Sequence, residues 1–327
     1  MILVLVEHSG GRPDRLSLEA LTLARRIAGA SAAPVHAVLV GPGARDAAAA
    51  LGGQGIAVAH VVEDPRLESY APVGWAASVA QLMDGAPAVI AAGSDRGNEV
   101  MAHVAARSDL PMAANVTDVQ AGTPVRVVRQ RWAGSLLEDA EIVGDRAVIT
   151  VAPHAVPIEE AAGAAPAIEA FTPQLDEKDL RVRVVGRVEA EKGRISLADA
   201  RVVVGGGRGV GGPEAFAVLE ELAGLLGAAV GVSRVATSAG WRPHSDQIGQ
   251  TGLRIAPDLY IACGISGAIQ HIVGCKAAKR ILVINKDADA PIMGRAAYAV
   301  IGDLHTVVPA ISEEIRRVRA NGAATKG

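Results

Sequence analysis

Aromatic residues are almost missing from this chain: two Phe, three Tyr and three Trp in 327 residues. A surface that stacks successive bases needs such rings. Lys and Arg (32) do not outnumber Asp and Glu (35), so the formal charge is −3 and no basic field exists to attract a nucleic acid. No nucleic-acid partner is expected. Cysteine is scarce as well. Cys263 and Cys275 stand 12 positions apart without a CxxC, which argues against a disulfide scaffold or a zinc site. That usage fits a reducing, cytoplasmic setting. Long apolar runs are also absent. The opening "MILVLVEHSG" has an apolar core of five residues ending at Glu7 and no basic start, so it reads as a first strand and not a secretory leader. Elsewhere "LAGLLGAAVGV", residues 222–232, covers about half a membrane span. A helix end leading into a buried strand accounts for it, and no membrane insertion is expected.

What the chain does hold is Ala, Val, Gly, Ile and Leu. That profile suits open parallel sheets covered by helices, whose strands are buried Val/Ile runs. At about 100–200 residues per domain, the length predicts two domains. The first half alternates. "ILVLV", "VHAVLVG", "IAVAHVV" and "PAVIAAGS" read as strands. Between them lie helical patterns, with Leu16, Ala20, Leu23, Ala24 and Ile27 forming one apolar stripe that stops at Gly29. Such alternation predicts βαβ units and a parallel sheet. "VRVVRQRW" and "EIVGDRAVITVAP" read as antiparallel hairpin material turning at Gly144 and Asp145. Residues 153–174, with four prolines and weak periodicity, read as a linker or an extended surface segment. One strand is expected in "DLRVRVVGRVEAEKG". The domain boundary is placed at residue 190, giving an N-terminal α/β domain (1–190) and a second α/β domain (191–327).

In the second domain each apolar strand runs straight into Gly, Ser, Arg, Asn or Asp: "RVVV" into "GGGRGVGG", "AAVGV" into "SRVATSAGW", "DLYIAC" into "GISGAIQH", "RILVI" into "NKDADAP" and "YAVI" into "GDLHTV". In a parallel sheet all carboxyl ends share one edge, and ligands bind in the crevice outside it. Five loops are therefore expected to converge on one nucleotide-type ligand. Gly205, Gly206, Gly207, Gly209, Gly211 and Gly212 would let backbone approach an anion, the helix from Pro213 would aim its N-terminal amides there, and Arg208 adds a full charge. The same glycines also suit a plain strand-to-helix turn. Gly207-x-Gly209-x-x-Gly212 fits the dinucleotide fingerprint only as a pattern: where an NAD site needs Asp or Glu, the next strand ends in Ser233 and Arg234. A P-loop is absent, "GISG" is not the GxSxG of a nucleophile elbow, and His244 and Asp246 lack the further ligands a metal needs.

At these residues the chain resembles a known family. "GGGRGVGGPEAF", "VGVSRVATSAGW", "QIGQTGLRIAPDLYIACGISGAIQH", "INKDADAPI" and "AVIGDLHTVVP" are similar, in order and spacing, to the FAD-binding domain of electron transfer flavoprotein alpha subunits, and residues 247–271 are the family's signature stretch. The N-terminal "VLVEHSGG" and "SLEALTLARRIA" resemble its first domain more loosely. The resemblance implies a nucleotide-hydrolase-like N-terminal domain and a doubly wound, deoxyhypusine-synthase-like C-terminal domain that carries one FAD. It implies a heterodimer with a beta subunit carrying AMP, acyl-CoA dehydrogenase-type electron donors, and a quinone oxidoreductase or another acceptor.

The family's residue roles carry over as follows. Arg208, with Ser266, Gly267 and Ala268, resembles the pyrophosphate and ribityl clamp. Asn285, Asp303 and Leu304 resemble the holders of the adenosine half. Ser233 and Arg234 resemble the pair beside the isoalloxazine. Ile248, Gly249, Gln250 and Thr251 resemble the loop at its N5 and O4 edge. Ile269, Gln270 and His271 close the pocket, His271 near the N1/C2 edge. Arg234, Thr251 and His271 are the expected tuners of the flavin's potential, by positive charge or hydrogen-bond donation in a water-poor site. No catalytic nucleophile, general base or metal is expected, because the flavin carries the electrons. Two other readings stay open on the sequence: an alpha subunit of an electron-bifurcating or nitrogen-fixation complex, and a stand-alone FAD oxidoreductase.

Overall fold

Val and Ile runs bracketed by helices build one largely parallel and one wholly parallel sheet in the computed structural model, which describes residues 1–122, 124–161, 163–186 and 195–324. The chain divides into two compact units, Met1–Val188 and Glu189–Gly327. The expected boundary at residue 190 falls among residues 187–194, outside the described residues.

The first unit is a nine-stranded sheet. From one edge its strands are Ala167–Phe171, Val58–Val62, Val35–Val40, Ile2–Leu5, Ala88–Ala92, Ala147–Val151 and Met112–Gln120, all parallel. Val125–Arg131 and Leu136–Ile142 follow antiparallel. Helix Arg15–Ser31 covers one face with Ala20, Leu23, Ala24 and Ile27; Pro72–Leu82 and Asp95–Ser108 cover the other. The first helix passes Gly29 and ends after Ser31, where Ala32 takes the left-handed conformation (φ 52°).

Two sequence expectations fail here. The turn at Gly144 and Asp145 does not close a hairpin. Ala147–Val151 lies in mid-sheet, parallel to Ala88–Ala92 and Met112–Gln120, while Leu136–Ile142 sits at the edge. The cause is burial: Ala147–Val151 is covered on both faces, which suits an interior parallel strand. The antiparallel reversal occurs instead at Trp132–Gly134. The described part of residues 153–174 lies on the surface as an extended segment tied to the fold. Glu19 accepts the backbone N–H of His154, Thr22 Oγ1 accepts that of Glu159, Arg26 pairs with Glu159 at 2.6 Å, and Ala167–Phe171 adds an edge strand. The strand expected after Asp179 does not form among its described residues, where Val185 is fully exposed (100%).

The second unit is a five-stranded, all-parallel sheet in the spatial order Ala229–Val232, Val202–Gly206, Leu259–Cys263, Ile281–Asn285, Tyr298–Ile301. Helices Ala217–Leu226 and Leu304–Ala324 pack on one face through Leu219, Leu222 and Val308. Helix Ile269–Cys275 and the turn Pro291–Arg295 pack on the other through Cys275 and Ile292. This is the doubly wound order 2-1-3-4-5, whose direction of winding reverses between Val202–Gly206 and Leu259–Cys263. Among the described residues no helix is long and apolar enough to cross a membrane.

Candidate functional site

Outside the carboxyl ends of those strands, at the reversal point, lies a cavity of about 820 Å³. That volume is on the scale of small-molecule and cofactor sites. Counting the strands in chain order, Arg208 and Gly209 line it from the loop after the first, Val202–Gly206, and Ser233, Arg234, Val235 and Ser238 from the loop after the second, Ala229–Val232. Gly264, Ile265, Ser266, Gly267, Ala268, Gln270 and His271 follow the third strand, and Asn285, Asp287 and Ala290 the fourth. Gln247, Ile248, Gly249, Gln250 and Thr251 complete the wall from a turn that precedes the third strand. Four strand-end loops meet here, not five. Ile269 points out (71% exposed), Leu304 is buried in the helical face of the core, and Asp303 pairs with Lys286 at 2.9 Å and accepts the His305 backbone N–H. That Lys286 contact holds the Asp303 carboxyl below its usual range.

The glycines serve the fold before any ligand. A Cβ on Gly209 would stand 2.7 Å from the Gly264 Cα, and one on Gly207 2.4 Å from the Gly264 carbonyl. The first and third loops therefore touch backbone to backbone, joined by Gly207 N–H to Cys263 C=O and Gly209 N–H to Gly264 C=O. Residues 211–216 do not line the cavity, so the helix expected to aim its amides there does not.

The Gln247–Thr251 turn is clamped from three sides. Ile248 N–H bonds to Val232 C=O (2.8 Å), Gln250 N–H to Gln270 C=O (2.7 Å) and Leu253 N–H to Gln247 C=O (2.7 Å). A Cβ on Gly252 would fall 2.2 Å from the Gln247 carbonyl. His271 supplies the fourth clamp. The residue is 6% exposed, with Nδ1 3.1 Å from the Ile248 carbonyl and Nε2 2.9 Å from the Tyr260 hydroxyl. Burial pulls its pKa down to about 4, so the neutral ring donates from Nδ1 to Ile248 and accepts at Nε2 from Tyr260. Both nitrogens are thus spent inside the protein. The donating role toward a ligand that the resemblance gives His271 is not available in this arrangement; the residue holds the turn in place. Asn285 behaves likewise: its amide donates to Ile265 C=O and accepts from Asp287 N–H.

Arg208 and Arg234 are exposed on neighbouring loops, and among the described residues neither guanidinium has an ion-pair partner. Two uncompensated cations at a cavity of this size suit a ligand that carries or develops negative charge. His244 and Asp246 lie outside it, Asp246 being paired with Arg242 at 3.1 Å, and no metal-holding group of three or more His, Cys, Asp or Glu occurs among the described residues.

Comparison with known proteins agrees with the sequence motifs. Residues 2–176 match the family described as electron transfer flavoprotein domain, and residues 196–276 that described as electron transfer flavoprotein FAD-binding domain. The chain belongs to the electron transfer flavoprotein alpha-subunit family. It is 41% identical over 319 residues to the electron transfer flavoprotein subunit alpha of Mycobacterium tuberculosis H37Rv, covering 96% of this chain and 98% of that one. Identity to the subunit of the same name from Thermoanaerobacterium thermosaccharolyticum is 33% over 325 residues, 97% and 98% of the two chains. Protein FixB of Clostridium saccharobutylicum is 32% identical, with 96% of each chain covered. Within the alpha-subunit framework, sequence reasoning missed Gln247 and Tyr260. Gln247 is polar but buried at the cavity wall, and Tyr260 sits under the site with its hydroxyl on His271. The only signal for Tyr260 is a lone hydroxyl in an apolar strand, facing Gly205, where a Cβ would lie 2.3 Å from that hydroxyl.

Proposed function

We propose that this chain is the alpha subunit of a heterodimeric electron transfer flavoprotein and holds one FAD in the C-terminal cavity. The observation that carries the reading is a pair of arginines, Arg208 and Arg234, with no ion-pair partner among the described residues, on a cavity at the winding reversal inside the matched FAD-binding segment. Arg208, with the backbone of Ser266, Gly267 and Ala268, would hold the pyrophosphate and ribityl chain. Ser233 and Arg234 would lie beside the isoalloxazine, with the turn Ile248, Gly249, Gln250 and Thr251 along its polar edge and Gln270 closing the mouth. When bound, FAD supplies the electron chemistry. The chain orients the ring, limits water and places positive charge near it.

The beta subunit would complete the protein and carry AMP. Acyl-CoA dehydrogenase-type donors feed the flavin, a quinone oxidoreductase or other acceptor drains it, and the protein works in the cytoplasm as a carrier without a substrate of its own. A second reading, service in a bifurcating or nitrogen-fixation-type complex, is favoured by the similarity to a FixB protein.

Co-purification with a beta-type partner tests this. One FAD per alpha chain is expected, and Arg208→Ala should weaken it about tenfold, the value of one charge-assisted contact. A heterodimer free of flavin, or unchanged affinity in Arg208→Ala, overturns the assignment. AMP on the partner supports the carrier reading, and a second FAD there supports the bifurcating one.

A further inference from the structure

Gln247 is 2% exposed, and its backbone is fixed at both ends by Gln247 N–H to His244 C=O and Leu253 N–H to Gln247 C=O. Its side chain lies between two hydroxyls. Oε1 is 2.6 Å from Thr237 Oγ1, and Nε2 is 3.0 Å from Thr251 Oγ1. Thr237 Oγ1 is also 3.0 Å from the Arg234 carbonyl. Thr251 is exposed and lines the cavity.

The two ends of an amide are nearly isosteric, and a hydroxyl both donates and accepts. Two arrangements therefore fit these distances. In the first, Thr237 donates to the amide oxygen, the amide N–H donates to Thr251, and the Thr251 proton is left for the cavity. In the second, the amide is turned by half a revolution. Its N–H donates to Thr237, Thr237 donates to the Arg234 carbonyl, and Thr251 donates to the amide oxygen, which leaves a Thr251 lone pair facing the cavity. Every hydroxyl keeps its own proton. The second arrangement has one more internal hydrogen bond, so once a ligand has displaced water from Thr251 the first prevails only where that ligand gives Thr251 an acceptor.

We propose that Gln247 is a two-state hydrogen-bond switch, set by the ligand's redox state, that decides whether Thr251 offers the cavity a proton or a lone pair. The proposal rests on the FAD reading above. A flavin is the kind of ligand that would work it, because a ring nitrogen bears a lone pair in the oxidised form and a hydrogen once the ring has taken up two electrons and protons. The oxidised ring selects the first arrangement and the reduced ring the second. Gln247 is thus a positioning residue: it acts through Thr251 and matches both redox forms without moving the backbone. The link through Thr237 ties the same switch to the helix that starts at Arg234.

The test uses the FAD-loaded full chain with its beta-type partner. Infrared difference spectra between the oxidised and dithionite-reduced protein should contain a side-chain amide carbonyl band that shifts on reduction and is missing in Gln247→Met. Thr237→Val removes two bonds of the second arrangement and one of the first. It should therefore favour oxidised over reduced FAD about tenfold, lowering the two-electron midpoint by about 30 mV. An amide band unmoved by reduction, or a Thr237→Val midpoint equal to wild type while FAD still binds, overturns the switch and leaves the functional reading standing. A wild-type heterodimer that binds no FAD overturns both.

Discussion

Gly274→Ala should destabilise the second unit by about 3 kcal/mol and weaken FAD binding about a hundredfold. The cause is a backbone contact. A Cβ at position 274 would stand 2.3 Å from the Gly249 nitrogen and 2.5 Å from its Cα. No side chain can rotate away, so either helix Ile269–Cys275 or the Gln247–Thr251 turn must shift. The turn cannot move away freely, since its Gln250 N–H is bonded to the Gln270 carbonyl of that helix at 2.7 Å. Both walls of the cavity carry ligand-facing residues, so either shift misplaces them. Gly224→Ala is the control: it sits in helix Ala217–Leu226 with nothing within 4 Å, and should stabilise by about 0.5–1 kcal/mol. Denaturant midpoints and flavin titrations read both variants. A Gly274→Ala protein with wild-type stability and affinity would show that the two backbones are not held in contact.

The second large effect is a pH dependence. Burial holds His271 at about 4 against an ordinary 6.5, offset only in part by the Ile248 carbonyl. The unfolded chain binds this proton near pH 6.5 and the folded chain only near 4. Above pH 6.5 the group contributes no slope; as pH falls from 6.5 to 4, unfolding gains about 3 kcal/mol. Other histidines add their own slopes, so the measurement is a comparison. His271→Gln keeps a donor for Ile248 and an acceptor for Tyr260 but does not titrate. It should be slightly less stable than wild type at pH 7.5 and should close or reverse that gap at pH 4.5, as read by urea unfolding. Parallel pH profiles for the two proteins would mean that His271 is not held neutral.

Much of the site could be read from the sequence because a parallel sheet gives its strand ends one common edge. Ser233, Arg234, Ser266 and Asn285 stand at or just past the ends of apolar strands, and all four line the cavity. Asp303 and Leu304 also follow a strand, the edge strand Tyr298–Ile301, yet both are taken up by the fold, Asp303 by Lys286 and Leu304 by the helical core. Strand position says where a residue is, not which way its side chain is spent. The same limit applies to His271, whose two ring nitrogens are claimed by an atom from a distant turn and another from the strand beneath. In the first unit the failed hairpin has a related cause. Spacing and turn residues mark a reversal at Gly144 and Asp145, but double-sided burial decides which strand enters the middle of the sheet.

That placement sets an order of events in folding. Ala88–Ala92 and Met112–Gln120 are synthesised early but have no bond to each other; Ala147–Val151 must slide between them. Ala167–Phe171 then seals the far edge on Val58–Val62, across more than half of the unit's length. Until those late segments leave the ribosome, the nascent unit exposes open strand edges on both halves of its sheet, the state in which a chain pairs with the wrong neighbour or calls on a chaperone.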